Sequence, residues 1–249
     1  MKFYLEHLTK HVNQKISFHE LSERLFQLGH EHEFKDNIID LEITPNRGDC
    51  LSVKGITREV SNFFSTEFMP QIFNDPIEDL DFDFTNNSEE DCPSVSFLLI
   101  EISEVPNTYN DYIETYFEDL EIKKNNFFTD ISNYLSYELG QPTHCYDFEK
   151  IGSKLVLEKQ TKMSEFITLT NKKIEISSSD LVFTARDEVV NLAGVMGGKS
   201  NACDKETKKV LVECAYFRPE AIIGKSTKYD LDSDAAFKFE RGVDPLAIE

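Results

Sequence analysis

Tryptophan is absent from this 249-residue chain, and its 20 phenylalanines dominate the aromatic content, so a Phe-rich core is expected. No stretch approaches the roughly 18 consecutive apolar residues that would read as a membrane-spanning helix. The N-terminal MKFYLEHLTKHVNQK lacks the apolar segment of a secretory signal. Cysteines are few and odd in number: Cys50, Cys92, Cys145, Cys203 and Cys214, with no two in a CxxC pair. That argues against a disulfide framework or a zinc site and fits reduced thiols in a cytoplasmic protein. Basic side chains are scarce as well. Lys and Arg number 26 against 46 Asp and Glu, a net charge of −20, which disfavours a surface that tracks a long phosphate backbone. GxGxxG, GxxxxGK[ST], HExxH and GxSxG are all missing, so pattern alone supports no nucleotide-binding, zinc-protease or serine-hydrolase reading.

What is present divides the chain. Ser17-Phe18-His19-Glu20 forms a capping box, followed by Leu21, Leu25 and Leu28 at helical spacing and a stop at Gly29. IIDLEI (38–43) alternates as a strand, TPNRGD (44–49) reads as a loop, and Val53, Ile56, Val60 and Phe63 mark a helix over 51–64. These pieces predict a small α/β unit over 1–70. An acidic linker is expected over 71–92, and a larger unit over 93–249. In the latter, Val95, Phe97 and Leu99 alternate as a strand. Ile113, Phe117 and Leu120, then Phe128, Ile131 and Leu135, suggest two helices. KLVLEK, EFITLT, KIEISS, LVFTA and VLVECAYF read as strands, with turns at Asn171-Lys172 and Arg186-Asp187-Glu188. The expected class is α+β with a substantial antiparallel sheet.

Three features could carry chemistry. Ala193-Gly194-Val195-Met196-Gly197-Gly198 is glycine-rich, but no helix pattern follows it, so it reads as backbone approaching something closely rather than as a phosphate cradle. His144 follows the helix exit at Gly140-Gln141-Pro142. Glu213 stands alone in the apolar run VLVECAYF, where an unpaired carboxylate is costly unless it faces water or a polar partner; alternation by itself favours the wet face.

Five segments, in order, resemble phenylalanyl-tRNA synthetase β subunits of the bacterial type: TPNRGDCLSVKGITREV (44–60), SNYLSYELGQPTHCYD (132–147), LAGVMGG (192–198), VLVECAYFRP (210–219) and SDAAFKFERGVDP (233–245). The resemblance implies a B1-like domain followed by a B3/B4-like editing domain, which removes tyrosine wrongly esterified to phenylalanine tRNA. Carried over by motif, Ser132 and Asn133 stand for the family's pocket Thr-Asn pair and His144 for its pocket histidine. Ala193 and Gly194 head the glycine segment, Glu213 recognises the tyrosine hydroxyl, and Ala235 leaves room for the ring. Ser132, Asn133 and His144 would position the ester, the ribose or the attacking water, with no general base assigned. Ser132, Asn133, His144, Gly194, Glu213 and Ala235 are expected to line one cavity wide enough for a tyrosyl ring.

Three departures stand beside the resemblance. Glu33 to Asp49 leaves no space for the family's oligonucleotide-binding insert, Ser132 replaces the commoner Thr, and the chain ends at Glu249, which reads as a piece of a longer subunit. By resemblance, the partners are the 3′ end of a tyrosine-bearing phenylalanine tRNA and an α subunit in a heterotetramer. ATP and Mg are expected only for the rest of the synthetase, with no cofactor in this region. The alternative is a non-catalytic scaffold whose editing has decayed.

Overall fold

The computed structural model describes residues 1–10, 12, 15–65 and 75–248. It divides into two compact units whose sequences interleave: residues 1–77, 107–125 and 134–140 form the first, and 78–106, 126–133 and 141–249 the second.

In the first unit, β1 (Lys2–Tyr4), β2 (Glu31–Lys35) and β3 (Ile38–Glu42) form an antiparallel sheet in the order β1-β3-β2. Around it lie α1 (Leu5–Thr9), α2 (Phe18–Gln27), α3 (Val53–Phe63) and α4 (Asp111–Asp119). The capping box at Ser17 forms as expected: its hydroxyl accepts from the Glu20 backbone and the Glu20 carboxylate from the Ser17 backbone. Ser52 caps α3 by accepting from Gly55 N at 2.9 Å, and this residue is buried. Replacing Ser52 with Ala leaves a buried N–H unpaired. It is expected to lower stability by about 1–2 kcal/mol, read as a shift of the urea midpoint at unchanged slope; a shift below a few tenths would mean that water replaces the cap.

The contiguous bounds read from sequence therefore differ from the observed units. α4 has one apolar face, and it buries Tyr116 and Phe117 among the core of the first unit, with Leu120 just beyond its end. α5 (Phe127–Leu139) begins with residues grouped in the second unit and ends with residues grouped in the first. Burial of an apolar stripe selects its partner by fit, not by closeness in sequence. The acidic stretch also departs from a simple linker. Residues 71–74 lie outside the described residues, but Asp83–Asn86 form β4. The alternation of DFDF turns Phe82 and Phe84 onto the Phe97 ring, at 5.4 and 4.8 Å between centroids.

The second unit is built on two larger sheets. One holds β5 (Ser94–Glu101), β6 (Thr143–Asp147) and β13 (Lys209–Tyr216) in the order β5-β13-β6, all antiparallel. The other holds β4, β7 (Lys154–Lys159), β10 (Leu181–Ala185), β11 (Glu188–Leu192) and β12 (Met196–Gly197) in the order β12-β11-β10-β7-β4. β4 runs parallel to β7, an exception to the antiparallel expectation. β8 (Ser164–Ile167) and β9 (Lys173–Ile176) form a separate hairpin. Positive φ at Asn171 (64°), Arg186 (51°) and Asp187 (64°) places tight turns where the sequence predicts them. The short helices α6 (Phe148–Ile151), α7 (Pro219–Ile222), α8 (Lys225–Tyr229) and α9 (Asp234–Phe239) close the unit. Phe97 against Phe84, and Tyr146 against Phe183 at 6.3 Å, bring the two large sheets face to face around the main core. The class is α+β. No helix among the described residues is long and apolar enough to cross a membrane.

Candidate functional site

Strand alternation decides which side chains can meet. Along β13, Leu211, Glu213 and Ala215 share one face, and Val210, Val212 and Cys214 the other. The first face joins the main core and the second a smaller cluster with Phe128 and Cys203. Both faces of this central strand are covered, so Glu213 has no wet side to take. It is 4% exposed, which corrects the solvated reading that alternation favours.

Glu213 lies directly opposite His144 of β6 in the antiparallel register. Two residues on, and on the same face, Tyr146 donates its hydroxyl hydrogen to Glu213 Oε2 at 2.5 Å. The Tyr146 oxygen in turn accepts from Asn191 Nδ2 of β11 at 2.8 Å. No donor among the described residues reaches the second carboxylate oxygen, Oε1. Burial pushes the Glu213 carboxyl up to about 7, and the Tyr146 hydrogen bond only partly opposes this.

His144 stacks edge-on against Tyr146, with ring centroids 4.4 Å apart. Burial lowers it to about 4, so it is a neutral imidazole at neutral pH. Its Nε2 is enclosed and has no hydrogen-bond partner among the described residues. Across from it runs the glycine segment: a Cβ at Gly197 would stand 2.2 Å from His144 Cε1, so only glycine lets the backbone pass. Gly194 has φ +68°, and a Cβ there would meet Ile222 at 2.7 Å. The run is a close backbone approach, and Ala193 beside it is buried in the core. Ala235, at the start of α9, packs half-buried against the same core.

The structure thus joins His144 and Glu213 to the glycine segment. It does not bring Ser132 to them. Ser132 Oγ accepts from Thr143 Oγ1 at 3.1 Å and lies 3.5 Å from Cys145 Sγ. Thr143 and Cys145 alternate with His144, so Ser132 stands over the opposite face of the sheet from His144 and Glu213, not beside them as expected. Asn133, next on α5, is half-buried. Tyr146 and Asn191 were not singled out from the sequence, whereas Gly197 belongs to the run read there as a close backbone approach. The signal for Tyr146 was available, because residues two apart on a strand share a face.

Elsewhere, His30, Cys50 and Glu59 bring potential metal ligands within 4.8 Å of one another. Arg47 occupies their midst. Its Nη2 lies 2.8 Å from Cys50 Sγ and 2.9 Å from Glu59 Oε1. A guanidinium already supplies the positive charge there, and the trio reads as an anchor for the 44–50 loop.

The fold and the site define a two-sheet α+β domain with a buried carboxylate and a neutral histidine between strand and glycine turn. The B3/4 domain profile matches residues 92–249, and the chain belongs to that family. Among curated proteins it is similar to the "Phenylalanine--tRNA ligase beta subunit" of Neisseria meningitidis serogroup B, with 36% identity over 85% of this chain. Proteins of the same name from Oleidesulfovibrio alaskensis (34% identity over 86% of the chain) and Photorhabdus laumondii (32% over 84%) are similar too. The chain spans 27% of the length of each of these relatives. A solved N-terminal fragment of the phenylalanyl-tRNA synthetase β-subunit from Pyrococcus horikoshii aligns with 86% of this chain and 67% of its own. The two share 11% identity, with a TM-score of 0.46.

Proposed function

We propose that this chain is the editing region of a phenylalanine–tRNA ligase β subunit and hydrolyses tyrosine misattached to phenylalanine tRNA. The observation that carries the reading is the buried Glu213 carboxylate with Oε1 left open. Tyrosine differs from phenylalanine by one hydroxyl, which an apolar synthetic pocket rejects only weakly. A second site that welcomes the hydroxyl completes the discrimination. Glu213 accepts a hydrogen bond from the substrate phenol, and a phenylalanyl ring leaves the carboxylate desolvated and unpaired. Ala235 leaves space for the ring. Ala193 and Gly194 keep the neighbouring backbone in its turn.

His144 is neutral and has a free, enclosed Nε2, which suits hydrogen bonding to the ribose, the ester or the attacking water. A group protonated only near pH 4 is a poor base at neutral pH, so His144 positions and the proton's acceptor is left unassigned. Ser132 supports β6 through Thr143 and Cys145, with Asn133 beside it. The tRNA's 3′ end is the macromolecular partner at this site. An α subunit completes the ligase, and ATP and Mg serve the aminoacylation centre outside this region. With a net charge of −20, the chain leaves most of the phosphate track to other parts of the assembly.

The test is deacylation by the natural full-length protein of tRNA carrying the phenylalanine anticodon, charged with tyrosine or with phenylalanine. The tyrosyl ester is expected to be hydrolysed at least about tenfold faster. Absent hydrolysis would establish the scaffold reading instead, and equal hydrolysis of the two esters would overturn the tyrosine specificity.

A further inference from the structure

We infer that Tyr146, oriented by Asn191, is a positioning residue that sets the selectivity of Glu213 by holding one carboxylate oxygen and presenting the other to the substrate phenol. The inference rests on the proposed editing function and adds two residues to it. Asn191 Nδ2 can only donate, so the Tyr146 oxygen accepts from it at 2.8 Å and the Tyr146 hydrogen is directed to Glu213 Oε2 at 2.5 Å. The chain Asn191–Tyr146–Glu213 links β11 to β6 and β13, and all three residues are at most 4% exposed. A buried carboxylate otherwise rotates or takes up a proton. With Oε2 engaged, its plane is set and Oε1 is the open acceptor. The molecule uses one phenol of its own to fix the group that recognises a second.

The titratable groups around Glu213 are uncharged at neutral pH. His144 faces it from β6 and is neutral. Burial raises the thiols of Cys145 on β6, Cys214 on its own strand and Cys92 before β5. No cationic side chain among the described residues pairs with Glu213; burial disfavours its charged form and the Tyr146 hydrogen bond favours it.

The experiment measures kcat/KM for the tyrosyl and phenylalanyl esters against pH, using the natural full-length protein and its Tyr146→Phe and Asn191→Ala variants. In the wild type the tyrosyl preference rises with pH around 7, as Glu213 ionises. Tyr146→Phe is expected to lower the preference by roughly tenfold or more at neutral pH and to move the midpoint upward by about a unit. Most of the loss should appear in the tyrosyl KM, with kcat for the phenylalanyl ester little changed. Asn191→Ala moves both quantities in the same direction by less. Should Tyr146→Phe not fold, the infrared carboxyl band of Glu213, identified by its absence in Glu213→Gln, is titrated in the wild type and in Asn191→Ala. A lower midpoint in the wild type supports the inference, and coincident midpoints overturn it. If the wild type prefers the tyrosyl ester but both variants keep its ratio and midpoint, the positioning role is wrong and the editing function stands. If the wild type shows no preference, both fall.

Discussion

Replacing Glu213 with Gln is expected to remove most of the tyrosyl preference and, at the same time, to stabilise the protein increasingly as pH rises. An ionised acceptor bonds a phenol more strongly than a neutral amide does. Hydrogen bonds to charged groups contribute about 1.5–3 kcal/mol, so roughly a ten- to hundredfold loss of discrimination follows, falling on the tyrosyl substrate. The stability effect comes from the same burial. The folded carboxyl lies at about 7, above its ordinary 4.5. Its contribution is fully present below pH 4.5 and is lost as pH rises through 7, a change of about 3 kcal/mol. Glutamine does not titrate, so the variant lacks this slope. Urea midpoints at pH 5 and pH 8.5 check this: the advantage of Glu213→Gln over wild type must grow with pH, and parallel curves would place the carboxylate in water.

His144 and His7 contribute slopes of the opposite sign. Each is lowered to about 4 by burial, so each withdraws stability as pH falls below 6.5. Both buried histidines thus favour unfolding in acid.

Asp180→Ala is expected to be the most destabilising single change. Asp180 is fully buried and receives the Lys225 ammonium, the Tyr229 hydroxyl, Lys228 Nζ at 2.9 Å and Ser177 N at 3.2 Å. Together these groups hold its carboxyl below the usual range, although burial alone would raise it. Removing it leaves two ammonium groups and a phenol without their shared acceptor. Breaking a buried pair costs about 3–5 kcal/mol. The lysine side chains are 23% and 40% exposed, and water recovers part of the loss, so the lower end, about 3 kcal/mol, is expected. At this chain length that corresponds to a Tm lower by roughly 6–12 °C. Lys228→Met should cost under about 1 kcal/mol, because its ammonium is the more exposed. A calorimetric scan in which Asp180→Ala melts within about 2 °C of wild type would show the cluster to be a solvated surface network.

Local chemistry was legible in the sequence wherever a neighbour in the chain supplies the partner. The Ser17–Glu20 box, the turns at Asn171 and Arg186-Asp187, and the alternating strands from 154 onward are decided within a few residues, and they formed as read. The motifs at 132–147, 192–198, 210–219 and 233–245 pointed to the family for the same reason: they are contiguous. Burial of Glu213 was not legible, since alternation tells which residues share a face but not whether anything covers it. Cores packed on both sides of β13 decided that. Nor could spacing show that Ser132 and His144 flank opposite sides of one sheet, or that α4 joins the first unit. The Asn191–Tyr146–Glu213 chain lies furthest from the sequence. Its members sit 45 and 67 residues apart, and only the approach of two sheets places a donor, a phenol and a carboxylate within hydrogen-bond reach. Short-range order follows from propensity and capping, whereas contacts across a core exist only once apolar burial has brought distant strands together.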